Sequence, residues 1–246
     1  MVYDCPDLYA AAYGFRDIAA ELDFALAQAQ VALGRAATSL VELAAGPALH
    51  ARCALDLGLR AAAVEHNPQA VDWLRCTEPR LEVVLADIAA FKLAAPVDVA
   101  LCPLSGFAYL LTDAAWLAAL DSVAQSLTPG GLLVAELAPD DARRVEVDRW
   151  EVPAGDGVLE VVAGPSRMLT DGVFEWDLQI TARRDGQPVT LHTIERQRDL
   201  SAAAVGRLLA QHGGFQAVRC YEGYDRRRRY RGAGSLVVCA RRADPK

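Results

Sequence analysis

The stretch Val41-Glu42-Leu43-Ala44-Ala45-Gly46-Pro47-Ala48 decides the fold. Ser39 to Leu43 reads as a short buried strand, and the segment after Ala48 keeps a helical pattern to about Leu57. Between them, Ala44 to Pro47 is a turn of small residues. At a strand-to-helix junction, backbone amides meet a ligand with the helix N-terminus behind them. Small side chains are needed there so that ligand atoms can approach the main chain.

Working outward, Leu59 to Val64 reads as a second strand, and Pro68 opens a helix holding Val71, Trp73 and Leu74. Leu81 to Leu85 and Val97 to Leu101 read as strands three and four. Thr112 or Asp113 caps a helix with apolar residues at Trp116, Leu120, Val123 and Leu127. The turn Thr128-Pro129-Gly130-Gly131 ends it, and Leu132 to Leu137 is the fifth strand. Upstream, Ile18, Leu22, Ala25, Ala29 and Leu33 place a helix over 17–33, behind a leader with Tyr3, Tyr9, Tyr13 and Phe15. Strands alternating with helices predict an α/β fold with a parallel sheet covered on both faces.

From 147 to 199 the pattern changes to strands without helices. Phe174, Trp176, Leu178 and Ile180 alternate with polar residues, the period of a half-buried strand, and Asp185-Gly186 signals a hairpin. Ser201 caps a last helix, with Leu200 and Val205 as a hydrophobic staple and Gly213-Gly214 as its stop. Strands from Phe215 to Tyr221 and from Ser235 to Ala240 then close the chain as an antiparallel hairpin. The expected organisation is a leader and helix (1–34), a Rossmann-like core (35–140), an antiparallel β insertion (141–199), and a final helix and hairpin (200–246).

The 246 residues carry a net charge of −7 and are 53% hydrophobic, enough for one large domain with an addition. No apolar run approaches the roughly 20 residues that span a bilayer, and the acidic start lacks a signal-peptide pattern. An acidic chain is a poor general nucleic-acid binder. The run Arg226 to Arg229 is a local exception, either a solvated loop guarding a sheet edge or a clamp for a substrate phosphate or carboxylate. Six cysteines and four histidines are scattered without metal-ligand or disulfide spacing. A cytoplasmic chain without a metal is the expectation.

Two acids join the small-residue turn. Glu65 closes the second strand about twenty residues after Gly46, where a carboxylate reaches ribose hydroxyls. Asp87 closes the third, so both converge on the C-terminal edge of the sheet, where open α/β sheets bind ligands.

This ordered set resembles the class I S-adenosylmethionine-dependent methyltransferases. Val41 to Ala48 looks like their first motif, with Ala44, Gly46 and Ala48 at its glycine positions; alanine at 48 is a departure. Ala63-Val64-Glu65-His66-Asn67-Pro68 looks like the second motif and Leu85-Ala86-Asp87-Ile88 the third. Thr128 to Gly131 is similar to the family's Pro-Gly-Gly turn. The segment Leu101-Cys102-Pro103-Leu104-Ser105-Gly106-Phe107-Ala108-Tyr109 looks most like that of small-molecule N-methyltransferases acting on amino sugars, with Tyr109 where those carry histidine.

The resemblance implies S-adenosylmethionine as cofactor and S-adenosylhomocysteine as product. It implies cofactor contacts from Tyr3, Glu42, Ala44, Gly46, Glu65, His66, Asp87, Ile88 and Cys102. The leader becomes a lid. Tyr13 and Tyr109 are the candidate catalytic residues, and Tyr9, Arg16, Trp150, Trp176, His192 and Arg196 the candidate acceptor contacts. The expected partner is a small molecule, with nitrogen preferred over oxygen, neither nucleic acid nor membrane, and a homodimer left open. A protein or RNA methyltransferase, or a cofactor-binding protein without turnover, are the alternatives.

Overall fold

The computed structural model describes residues 1–139, 147–154, 157–170, 172–184 and 187–244. A seven-stranded sheet forms the core. Its strands are β1 (Ser39–Leu43), β2 (Arg60–Glu65), β3 (Glu82–Leu85), β4 (Val97–Cys102), β5 (Leu127–Leu137), β10 (Phe215–Glu222) and β11 (Leu236–Arg242). They lie in the order β10-β11-β5-β4-β1-β2-β3, parallel except for β11, which runs antiparallel to both its neighbours. The chain leaves β1 toward β2 and β3 on one side and later returns to β4 on the other. The strand ends at β1 and β4 therefore open a crevice at the switch point.

The helices are α1 (Pro6–Ala12), α2 (Ile18–Leu33), α3 (Leu49–Asp56), α4 (Pro68–Thr77), α5 (Asp113–Ser126) and α6 (Ala202–His212). Their ends follow local chemistry. Asp17, Asn67, Thr112 and Ser201 each accept a backbone amide at a helix start, and α2 and α6 stop at left-handed Gly34 and Gly213. Leu200 and Val205 are both buried, as a staple requires. One cluster packs α5 and α6 onto one face of the sheet, and another packs α2 and α3 onto the opposite face. Among the described residues, no helix is long and apolar enough to cross a membrane.

A second, four-stranded antiparallel sheet follows the order of the chain: β6 (Asp148–Ala154), β7 (Gly157–Met168), β8 (Val173–Arg184) and β9 (Gln187–Arg198). The expected boundary at 140/141 and the Asp185-Gly186 turn lie outside the described residues; Arg184 of β8 pairs with Gln187 of β9.

One local expectation changes. Thr128 to Gly131 does not separate α5 from β5; the strand starts at Leu127 and takes these residues up as an irregularity in its pairing with β4. Gly130 has φ +73°, and a Cβ on Gly131 would sit 2.9 Å from the Thr128 carbonyl oxygen, so both glycines are needed for that path. The leader, read from sequence only as an aromatic segment ahead of the first helix, is itself folded. A 3-10 turn at Val2–Asp4 and α1 pack on the inner face of the second sheet, where Val2 and Ala12 join Leu159, Val161, Leu178 and Ile180 in one apolar cluster.

Candidate active site

A cavity of about 290 Å³ lies in the crevice beyond β1 and β4. The large sheet forms its floor, the leader covers it, and β9 contributes one wall. Its lining joins the turn Ala44 to Pro47, Glu42, Glu65, His66, Asp87, Ile88 and Tyr109 with Tyr3, Tyr9, Tyr13 and Arg16 of the leader.

The turn after β1 is strained in a way that shapes the cavity. Ala44, Gly46 and Ala48 have φ of +50°, +49° and +52°. Alternating left-handed residues fold the main chain tightly against the end of β2, where the Ala45 amide donates to the Val64 carbonyl at 3.1 Å. A left-handed alanine costs roughly 1–2 kcal/mol. The turn keeps that conformation at Ala48 with its methyl fully buried.

Glu65 is held from three sides. Its Oε2 accepts the Gly46 amide at 2.7 Å, and Oε1 accepts the amides of His66 and Asn67, both at 2.8 Å. Burial alone would raise its pKa; the His66 ring and these amides outweigh that and hold it below the usual carboxylate range. Oε1 also meets the His66 ring at 3.1 Å, whereas Oε2 takes only the Gly46 amide, so a lone pair on Oε2 remains for a hydroxyl. Asp87 is exposed at the rim, and its Oδ1 accepts the Ala89 amide at 2.7 Å.

Behind this surface runs a chain of charges. Glu42 Oε2 accepts the Ala51 amide at 2.7 Å, and Oε1 meets His50 Nδ1 at 3.2 Å. His50 Nε2 lies 2.8 Å from Glu21, which pairs with Arg16 at 2.7 Å, and Arg16 pairs with Glu136 at 2.8 Å. Burial would lower the His50 pKa, but Glu42 and Glu21 outweigh it and push it up to about 9, so His50 is a cation at neutral pH. Arg16 Nε is buried without a hydrogen-bond partner.

The tyrosines form a hydroxyl-bearing roof. Tyr3 and Tyr109 share a hydrogen bond of 2.7 Å, and the rings of Tyr3, Tyr9 and Tyr13 follow one another at 5.5 and 4.8 Å. Burial pushes all four phenols above their ordinary pKa. They are neutral hydrogen-bonding groups at neutral pH.

Five expected site residues lie off the cavity. Cys102 is fully buried in the core beneath the floor, and Pro103 and Leu104 line the cavity in its place. Trp150 supports the leader from behind; its indole N–H donates to the Ala12 carbonyl at 2.8 Å and its ring meets Tyr13 edge-on. Trp176 packs against the cluster under the leader and meets the Phe174 ring edge-on. His192 pairs with Asp177 at 2.9 Å on the outer face of the second sheet, and Arg196 is exposed on that same face. The arginine run is also engaged elsewhere: Arg226 pairs with Asp23, Arg228 with Glu222, and Arg229 lies over the Tyr221 ring.

Sequence reasoning missed Glu195, which lines the cavity from β9. The signal was present in the strand period: Thr193, Glu195 and Gln197 share the inner face, while His192, Ile194 and Arg196 point outward. Asn67 was missed for another reason. It was read only as part of a motif, yet its side chain caps α4 and donates to Asp4 of the leader at 2.9 Å.

The order of strands, with β11 alone reversed and an antiparallel sheet above the C-terminal edge, is that of the class I methyltransferase fold. Solved structures bear this out. DesVI of Streptomyces venezuelae superposes with a TM-score of 0.79 at 21% identity, over 94% of this chain and 96% of that one. KedS8, a sugar N-methyltransferase from a Streptoalloteichus species, gives 0.78 at 20% identity over 97% and 92%. CalS10 of Micromonospora echinaspora, an amino pentose methyltransferase seen with S-adenosylmethionine bound, gives 0.75 at 18% identity over 96% of both chains. No family model matches the sequence, and no curated protein matches it.

Proposed function

We propose that this protein transfers a methyl group from S-adenosylmethionine to a nitrogen of a small-molecule acceptor. The observation that carries this reading is the convergence of the Gly46 turn, Glu65 and Asp87 on one cavity, with neutral tyrosines opposite them. When bound, S-adenosylmethionine supplies an activated methyl on a sulfonium together with its leaving group.

The residues present fit that ligand. Glu65 has one acceptor site left for a ribose hydroxyl and is already oriented by three amides. Asp87 and the Ile88 amide stand one strand further on, at the adenine end. The unpartnered Nε–H of Arg16 suits the amino-acid carboxylate. The tyrosine faces suit a sulfonium, which aromatic rings attract through their quadrupoles.

What the chain contributes to transfer is position and exclusion of water. Neutral phenols do not remove a proton from a hydroxyl at neutral pH, whereas an uncharged amine attacks through its own lone pair. That favours nitrogen over oxygen. The names of KedS8 and CalS10, a sugar N-methyltransferase and an amino pentose methyltransferase, support an amine on a sugar. The net charge of −7 speaks against RNA as acceptor.

The test is transfer of labelled methyl from S-adenosylmethionine to matched panels of amino sugars, free and nucleotide-linked, with the corresponding hydroxy sugars and phenols. The expected result is label on amines alone. Label confined to hydroxyls would overturn the nitrogen assignment, and no stabilisation of the protein by either nucleoside would overturn the whole reading.

A further inference from the structure

We infer that Glu195 is the acceptor-selecting residue of this cavity, the carboxylate that holds the acceptor's amine and meets the positive charge that arrives on its nitrogen. The inference rests on the proposed methyl transfer to nitrogen.

Four carboxylates line the cavity, and three have donors of their own. Glu42 is engaged by His50 and the Ala51 amide, Glu65 by three amides, and Asp87 by the Ala89 amide. Among the described residues, Glu195 alone of these makes no hydrogen bond and no ion pair. It is half-buried on the inner face of β9. Its neighbours on that face are committed to the roof: Thr193 accepts the Val2 amide at 2.8 Å, and Gln197 stands beside the Tyr109 hydroxyl. Glu195 lies between them, on the wall that the second sheet contributes, with Tyr109 and His66 close enough to sense its charge. A partly desolvated carboxylate without a donor is a standing demand for a cation or an N–H group.

The chemistry gives it a second use. The nitrogen lone pair forms the N–C bond while the S–C bond breaks onto sulfur. One positive charge thereby leaves sulfur and appears on nitrogen, and no proton needs to leave until the product departs. A fixed carboxylate beside the nitrogen interacts more strongly after that shift than before it, and so favours the transition state. A hydroxyl acceptor gains nothing comparable.

The test needs no knowledge of the acceptor. Sinefungin carries an ammonium where the transferable methyl sits, whereas S-adenosylhomocysteine carries nothing there. Calorimetric titration of wild type and Glu195→Gln with both ligands reads the field at that position. Wild type is expected to prefer sinefungin by tenfold or more. Glu195→Gln is expected to lower sinefungin affinity about tenfold and leave S-adenosylhomocysteine within twofold, while Glu195→Asp keeps most of the preference. Unchanged sinefungin affinity in a folded Glu195→Gln protein, or an equal loss for both ligands, overturns the assignment. Failure of wild type to bind either ligand overturns the methyltransferase reading itself, and this inference with it.

Discussion

Glu65 carries two duties, and its substitution separates them. Glu65→Gln keeps the shape but trades an acceptor oxygen for a donor among three amide donors. We expect a loss of roughly 1.5–3 kcal/mol in S-adenosylhomocysteine binding, read by titration calorimetry, with a lowered melting temperature. Unchanged affinity would remove Glu65 from the site. Ala48→Gly tests the departure at the turn. Glycine relieves the left-handed strain, roughly 1–2 kcal/mol, against a buried methyl worth about 0.8 kcal/mol. Stability should therefore move by about 1 kcal/mol or less, with ligand affinity kept or improved; a large loss of affinity would mean that the methyl itself shapes the turn. At this scale the floor was legible, because strand-end acids and small turns are local patterns. The β9 wall was not. His192 and Arg196 drew attention as functional residue types, but strand parity turns them outward and Glu195 inward.

At the scale of elements, the leader and the second sheet act together. The 3-10 turn and α1 pack on the inner faces of β6 to β8, and Trp150 and Thr193 bond their backbone. Deleting residues 1–14 thus bares an apolar face as well as the cavity. It should lower the melting temperature and reduce turnover by about a hundredfold or more, on the scale of lost positioning. Tyr109→Phe and Tyr13→Phe isolate the hydroxyls. Tyr109→Phe breaks the 2.7 Å bond to Tyr3 and should lower turnover about tenfold, with S-adenosylhomocysteine affinity changed less than threefold. Full activity in both variants would assign these tyrosines to packing. The sequence showed that the leader was aromatic, but not that it was helical. A seven-residue helix is marginal alone and forms here on a sheet more than a hundred residues downstream.

At the scale of the whole molecule, the line Glu42-His50-Glu21-Arg16-Glu136 ties α2, α3, β1, β5 and the leader into one charged unit. His50 titrates near 9 when folded and near 6.5 when unfolded. Its stabilisation is therefore complete below about pH 6.5 and is lost as pH rises through about 9. Glu21 and Glu65 are depressed, so theirs is present above about pH 4.5 and is lost as pH falls below it. Melting temperature should form a plateau between these limits. His50→Gln should flatten the alkaline fall and cost roughly 3 kcal/mol at neutral pH, since buried Glu42 loses its cation while Glu21 keeps Arg16. An unchanged alkaline slope would show that His50 is neutral in the folded protein. Glu42 and Arg16 were named from the sequence for other roles, but their pairing through His50 and Glu21 was not legible, since it depends on how α2, α3 and β5 pack.

The central claim is that this cavity holds S-adenosylmethionine with Glu65 on the ribose. A crystal structure of the protein with S-adenosylhomocysteine tests it most directly. The account predicts a ribose hydroxyl within hydrogen-bond distance of Glu65 Oε2, adenine beside Asp87 and the Ile88 amide, and sulfur facing the tyrosines, with Glu195 across the open side. A nucleoside bound elsewhere, or a cavity empty at saturating ligand, would contradict it.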